Sequence, residues 1–215
     1  LMLSPDRVVA AITVTMNSTT SFPIADALSE STDRPAVALI AGPTASGKSA
    51  VAMALAKSLM ADGRDAVIIN TDASQVYADI PIMSAAPTAE DMAQVPHALF
   101  GHVDGAENYN AARALIDARA ALSAAIARGA TAILTGGTGM YIGSLLDGIA
   151  PMPPIDPDIR ATVRAMKVAD AYAALSIEDP AAAARLNPAD DSRVKRALEV
   201  IRSTGQSLIL WQEQR

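Results

Sequence analysis

Cysteine is absent from the 215 residues, which excludes a disulfide framework, a thiolate nucleophile, a zinc–thiolate site and an iron–sulfur cluster. Nothing in the chain therefore requires an oxidising compartment, and the cytoplasm is the expected location. Aromatic residues make up only 3% of the chain, so surfaces for base stacking are few. Long apolar runs are missing as well: none approaches the roughly 18 residues that would suggest a membrane-spanning helix. Positive charge is in short supply, with 17 Lys+Arg against 23 Asp+Glu and a net charge of −6. That is the wrong sign for holding nucleic acid by bulk charge, so any such contact has to come from a local patch. What is abundant is small aliphatic surface. Hydrophobic residues reach 51% and charged residues 19%, a balance that excludes a disordered chain. The length suits one large domain or a core with a smaller second lobe.

Residues 1–35 read as an N-terminal extension or linker, with Ser and Thr clusters ahead of Asp33, Arg34 and Pro35 and with Met16 as a candidate start. The run from Val8 to Met16 after Arg7 is loosely like a short signal-peptide core, but Asp6 and the lack of a basic leader argue against that reading. Regular patterning begins at Ala36. Ala36–Ala41 is a continuous apolar run, as expected of a parallel strand buried on both faces. A glycine-bearing loop follows, and then a helix over 50–60 on which Val51, Leu55 and Leu59 recur at helical spacing. Asp62-Gly63 is a helix stop, and Ala66–Ile69 is a second buried strand. The chain is loop-like after Asp72 until Thr88-Ala89-Glu90-Asp91, which resembles a helix start. Ala111–Arg128 reads as a helix closed by Gly129, and Ala130–Thr135 as a further core strand. The expected fold is α/β: a parallel sheet flanked by helices over 36–150, of the P-loop NTPase-like kind. The proline cluster at 151–154 marks a boundary to a small α-helical lobe over 151–203.

Gly42 to Ser49 satisfy G-x-x-x-x-G-K-[ST], and the strand before and helix after give the motif its physical context. Gly42, Thr44, Ala45, Ser46 and Gly47 form the turn whose backbone amides can close around a phosphate. Lys48 adds a point charge, and Ser49 is placed to ligate Mg2+. The ligand is a diphosphate or polyphosphate, and the motif by itself leaves nucleotide binding, including ATP, open. Asp72 follows the second strand, where it reads as a metal organiser, a general base or a turn aspartate. Gly136-Gly137-Thr138-Gly139 follows the later strand and brings a second glycine loop to the edge where open α/β sheets bind ligands.

Three segments together resemble the tRNA dimethylallyltransferase family, also called tRNA isopentenyltransferase. They are Gly42-Pro43-Thr44-Ala45-Ser46-Gly47-Lys48-Ser49, Asp72-Ala73-Ser74-Gln75-Val76-Tyr77 and Gly136-Gly137-Thr138-Gly139-Met140-Tyr141. Val95-Pro96-His97, Asp156-Pro157-Asp158-Ile159-Arg160 and the run Asp191–Glu199 add to the likeness. The resemblance implies transfer of a dimethylallyl group from dimethylallyl diphosphate to the exocyclic N6 amine of the adenine 3′ to the anticodon, with Mg2+ as cofactor. It implies that Asp72 accepts the amine proton, that Lys48 and the loop hold the leaving diphosphate, and that the partner is the anticodon stem–loop of tRNA. Asp72, Ala73, Ser74, Gln75, Thr138, Arg160, Ser192, Arg193 and Arg196 become tRNA-facing residues by the same likeness. Without it, the arginines read as a solvated helix face and Thr138 as a turn hydroxyl. His97, Tyr77 and Tyr141 read as packing residues.

The chain departs from the family pattern at Ala73, usually serine, at Ser84, usually threonine, and at Ala86, usually basic. The helical stretch between Arg160 and Asp179 is short for the family. Members continue beyond a segment like Ser207–Gln212, so residues 204–215 are expected to begin a core segment that is cut short, leaving either a piece of a longer protein or a domain that binds without turnover. The alternative enzyme is a P-loop small-molecule kinase or NTPase, with Arg160 and Arg164 imitating a lid. The chain is expected to be a monomer with no membrane partner.

Overall fold

The computed structural model describes the backbone of Val8–Thr13 and residues 37–150 and 152–214. Five strands form one parallel sheet: β1 (Val8–Thr13), β2 (Val37–Ala41), β3 (Ala66–Asn70), β4 (His97–Ala98) and β5 (Thr131–Gly136), in the order β1-β2-β5-β3-β4, with the largely apolar β2, β5 and β3 inside and β1 and β4 at the edges. Every residue of β3 and β5 is buried, as the absence of alternation in their sequences requires. Val8–Thr13 lies within the stretch read as an extension, and it pairs in parallel with β2 along the sheet edge. Ala36, where the first core strand was expected to begin, lies outside the described residues.

Successive residues of β2 serve opposite faces. Ala38 and Ile40 pack with Leu55 and Leu59 of helix α1 (Lys48–Ala61), whereas Val37 and Leu39 pack with Ala118 and Leu122 of helix α3 (Ala111–Ala127). The result is a helix–sheet–helix sandwich, in which burial of a side chain such as Leu59 contributes about 1.5–3 kcal/mol. Helix boundaries follow local chemistry. The short helix α2 (Ala89–Gln94) opens with a capping box in which Thr88 and Asp91 satisfy each other's backbone N–H groups. Asn110 caps α3, and Gly63 and Gly129 follow the ends of α1 and α3 with φ of 75° and 73°. Helix α4 (Gly139–Asp147) leaves the second glycine loop.

Register sets the position of the site. Ala41 is level with Gly136, and Asn70 with Thr135, so β2, β5 and β3 end together and release their three following loops from one edge.

The chain divides into two compact units after Gly148. The second contains helices α5 (Pro157–Ala165), α6 (Val168–Glu178), α7 (Pro180–Ala183), α8 (Asp191–Thr204) and α9 (Leu208–Gln212). Asp156 caps α5 ahead of Pro157 at its first turn, and Gly205 ends α8 in the left-handed region. Val163, Leu175, Val194 and Leu198 form this unit's own core, against which Leu208 and Ile209 pack. No helix among the described residues is long and apolar enough to cross a membrane.

Candidate functional site

The phosphate loop takes its shape from two left-handed positions, Ala45 at φ 62° and Gly47 at φ 88°. The conformation costs Gly47 little but strains Ala45, a residue with a Cβ. Helix α1 then begins with no side-chain cap and no acidic residue in its first turn. Helix α4 begins the same way after Thr138. In contrast, α2, α3, α5, α7, α8 and α9 all have side chains on their first N–H groups, and α6, which also lacks a side-chain cap, has Asp170 in its first turn. The two helices that start at the site thus keep their amides and positive dipole ends for an anion. Ser46 adds a buried hydroxyl with no partner. Lys48 turns its Nζ back to donate to the carbonyl of Pro43 at 2.6 Å. Ser49 is exposed on the first turn of α1.

Asp72 is held by its neighbours rather than by a helix. The buried amide of Asn70, at the end of β3, accepts from the Asp72 N–H at 2.7 Å and donates to the carbonyls of Asp72 and Leu99, both at 3.0 Å. Ser74 donates twice to Asp72 Oδ1, from its N–H at 2.9 Å and from its hydroxyl at 2.7 Å. Oδ2 is turned the other way. A methyl group placed on Gly137 would lie 3.6 Å from Asp72 Oδ2, 3.8 Å from Lys48 Nζ and 3.5 Å from the carbonyl of Gly42. All three motif loops therefore converge on one point, which brings the Asp72 carboxylate and the Lys48 ammonium together there. These are ordinary van der Waals distances, so a methyl at 137 would fit without a clash. Gly136 is tighter: a methyl there would fall 2.4 Å from both the carbonyl carbon and Oγ1 of Thr71.

The cleft around this point has a volume of about 620 Å³ and is lined by the phosphate loop, Asp72, Ser74, Gln75, Met83, Ser84, Ala85 and residues 135–138. Two residues expected to face RNA also hold its walls. Thr138 Oγ1 accepts from the N–H of Ala73 at 2.9 Å, tying the second glycine loop to the aspartate loop. Gln75 donates from its side-chain amide to the carbonyls of Ser84 and Ala85, both at 2.9 Å, and so fixes the 80–86 loop. Thr138→Val keeps the shape but strands the Ala73 N–H. It should lower thermal stability by about 1 kcal/mol, read by thermal unfolding.

Tyr141, on the first turn of α4, is buried. Burial pushes its phenol above the usual value, with Tyr77 and the Asp72 carboxylate adding to the shift, so it stays neutral. His97 donates from Nδ1 to the Val95 carbonyl at 2.8 Å and meets Phe100 edge-on, a packing role. No group of three or more His, Asp or Glu side chains gathers to hold a metal among the described residues. A magnesium ion that draws most ligands from a diphosphate and water would find its protein hydroxyl in Ser49.

In the helical unit, Arg193 is 77% exposed and pairs with Asp190 at 3.5 Å. Arg160 and Arg196 both point to Glu199, a fully buried carboxylate on α8. Arg164 also binds that carboxylate, its Nε donating to Oε1 at 2.6 Å, which raises the Arg164 guanidinium further above its ordinary value. Ser192 is exposed on the first turn of α8. Sequence reasoning missed Asn70 and Glu199. The one visible signal for Asn70 is an amide that ends an otherwise apolar strand just before Asp72.

The family model described as IPP transferase matches residues 75–215, and a second, described as Zeta toxin, matches residues 24–97. A tRNA dimethylallyltransferase of Sphingopyxis alaskensis is 59% identical over 179 residues, which cover 83% of this chain and 57% of that protein. One from Erythrobacter litoralis is 55% identical over 84% of this chain and 57% of its own length. The chain thus spans less than two thirds of the curated relatives it matches. Among solved structures, a eukaryotic dimethylallyltransferase captured acting on tRNA superposes with a TM-score of 0.68 at 26% identity, over 85% of this chain and 45% of that one. The tRNA isopentenylpyrophosphate transferase of Bacillus halodurans gives 0.51 at 34% identity, over 80% and 57%.

Proposed function

The chain belongs to the IPP transferase family, and on that footing we propose that it transfers a dimethylallyl group from dimethylallyl diphosphate to N6 of the adenine 3′ to the anticodon of tRNA. The observation that carries this reading is the convergence on Gly137 of Asp72 Oδ2 and Lys48 Nζ, 3.6 and 3.8 Å from a single point. An alkyl transfer from a diphosphate needs both charges on either side of the reacting carbon. As the allylic carbon–oxygen bond breaks, its electron pair passes to the diphosphate. Lys48, the loop amides and the uncapped start of α1 are positioned to stabilise that negative charge. As N6 forms its bond to carbon it must lose a proton, and Oδ2 of Asp72 is the acceptor, since Oδ1 is occupied by Ser74. An adenine can reach that carboxylate only after leaving its stack.

Magnesium, when bound, would supply further charge neutralisation at the diphosphate, with Ser49 as its protein ligand. The acidic chain as a whole repels RNA, so Arg160, Arg193 and Arg196 are the contacts expected to offset that repulsion. The reaction belongs to the cytoplasm, and a monomer suffices for it.

The test is single-turnover transfer of labelled dimethylallyl to an unmodified anticodon stem–loop, with ATP as a control. Label on the RNA that disappears when the target adenine is replaced supports the assignment. ATP turnover with no labelled RNA overturns it.

A further inference from the structure

In the helical unit three arginines, Arg160, Arg164 and Arg196, surround one carboxylate, Glu199, where charge balance requires one. Glu199 is wholly buried, and a carboxylate in that position is costly unless it is paired. Arg164 meets the need alone, at 2.6 Å from Oε1. Yet Arg196 and Arg160 also stand 3.6 and 4.0 Å from Oε2, an oxygen that accepts no hydrogen bond among the described residues. The three guanidinium side chains remain 52%, 57% and 38% exposed for Arg160, Arg164 and Arg196, so their outer N–H groups face water. One negative charge against three positive leaves a surplus of two, fixed at the surface by a buried anchor. The anchor is rigid: α8 is packed through Val194, Ala197 and Leu198, and Lys195 donates to the Arg164 carbonyl at 3.2 Å while pairing with Asp191 at 2.7 Å. Arg196 is steadied further by a 3.1 Å contact of its terminal nitrogen with the sulfur of Met152.

We propose that Glu199 is a positioning residue that gathers Arg160, Arg164 and Arg196 into one preformed site for the phosphodiester oxygens of an RNA backbone. The proposal rests on the RNA-substrate reading above and deepens it. The family resemblance names Arg160 and Arg196 one by one. The buried carboxylate makes them parts of a single device, adds Arg164 to it, and removes from binding the entropy of ordering three long side chains. Planar guanidinium groups held side by side suit the spaced, negatively charged oxygens of successive phosphates.

The sign of one substitution separates this role from simple charge balance. Glu199→Gln keeps the shape and makes the unit more positive by one. If the carboxylate only lowered the local charge, the variant would bind RNA more tightly. As a positioning residue its loss weakens binding of the full chain to an anticodon stem–loop by about ten-fold. It also flattens the dependence of log affinity on log salt by roughly one. Turnover at saturating RNA should change little, so the effect falls on KM rather than kcat. Arg164→Lys, a surface change that keeps the charge and loses the fork, should weaken binding similarly, and it carries the test should Glu199→Gln fail to fold by circular dichroism. Wild-type affinity in both variants, or tighter binding by Glu199→Gln, overturns the proposal while leaving the RNA reading intact. No binding of the stem–loop by the wild type overturns the RNA reading, and the proposal falls with it.

Discussion

Asp72→Asn is expected to slow single-turnover transfer by about two to four orders of magnitude, the range lost when a general base is removed. Asparagine is close in size and can still accept both hydrogen bonds from Ser74, so the loop should keep its conformation. What disappears is a site for the N6 proton. The same change removes a negative charge from a cleft that has to hold a diphosphate. Binding of dimethylallyl diphosphate, measured by equilibrium dialysis, should therefore be unchanged or slightly tighter. The combination is diagnostic, because a merely structural aspartate would lose binding and rate together. Transfer at the wild-type rate would remove Asp72 from its role.

Gly136→Ala should be the most damaging single-methyl addition in the sheet. The new carbon would sit 2.4 Å from the Thr71 carbonyl carbon and Oγ1, and 2.6 Å from its carbonyl oxygen. Thr71 has no easy retreat. It is 3% exposed, its N–H donates to the Thr135 carbonyl at 2.8 Å, and the Asn70 clamp follows directly on the strand before it. A strain of about 3 kcal/mol is expected, at the upper end for overpacking, with a fall in Tm of about 10 °C for a chain of this size. Gly139→Ala offers the contrast within the same motif. Nothing lies within 4 Å of its added methyl, and the residue begins a helix, so it should be tolerated. A Tm unaltered by Gly136→Ala would mean that the two strand ends can part without cost.

The inner strands and their helices were legible because their signals are local. Unbroken apolar runs wrote β2, β3 and β5, and the Thr88–Asp91 box and the glycines at 63 and 129 wrote helix ends. The phosphate loop and Asp72 were legible for the same reason, since each directly follows a strand. β1 was not. Its apolar stretch lies in a segment that reads as an extension or linker, and only pairing with β2, more than twenty residues on, makes it a strand. Asn70 and Glu199 were hidden because a polar residue's role depends on distant partners: Asn70 reaches the Leu99 carbonyl, and Glu199 waits for arginines on another helix. The exposed arginines of that helix could be seen, but the carboxylate that gathers them looks in sequence like one more charge on a helix.

The order of the strands also governs how the site comes into being. β5 is the last of the core strands to leave the ribosome, yet it belongs between β2 and β3, which precede it. Until about residue 136 has emerged, the nascent chain holds two apolar strands with unpaired flanks, and the phosphate and aspartate loops have no reason to face each other. Such non-local closure is slow, and open strand edges invite aggregation in the interval. Insertion of β5 ends both conditions at once, so competence to bind diphosphate should arise in the same cooperative step that protects the sheet. A chaperone holding the incomplete chain would then shield the future active site.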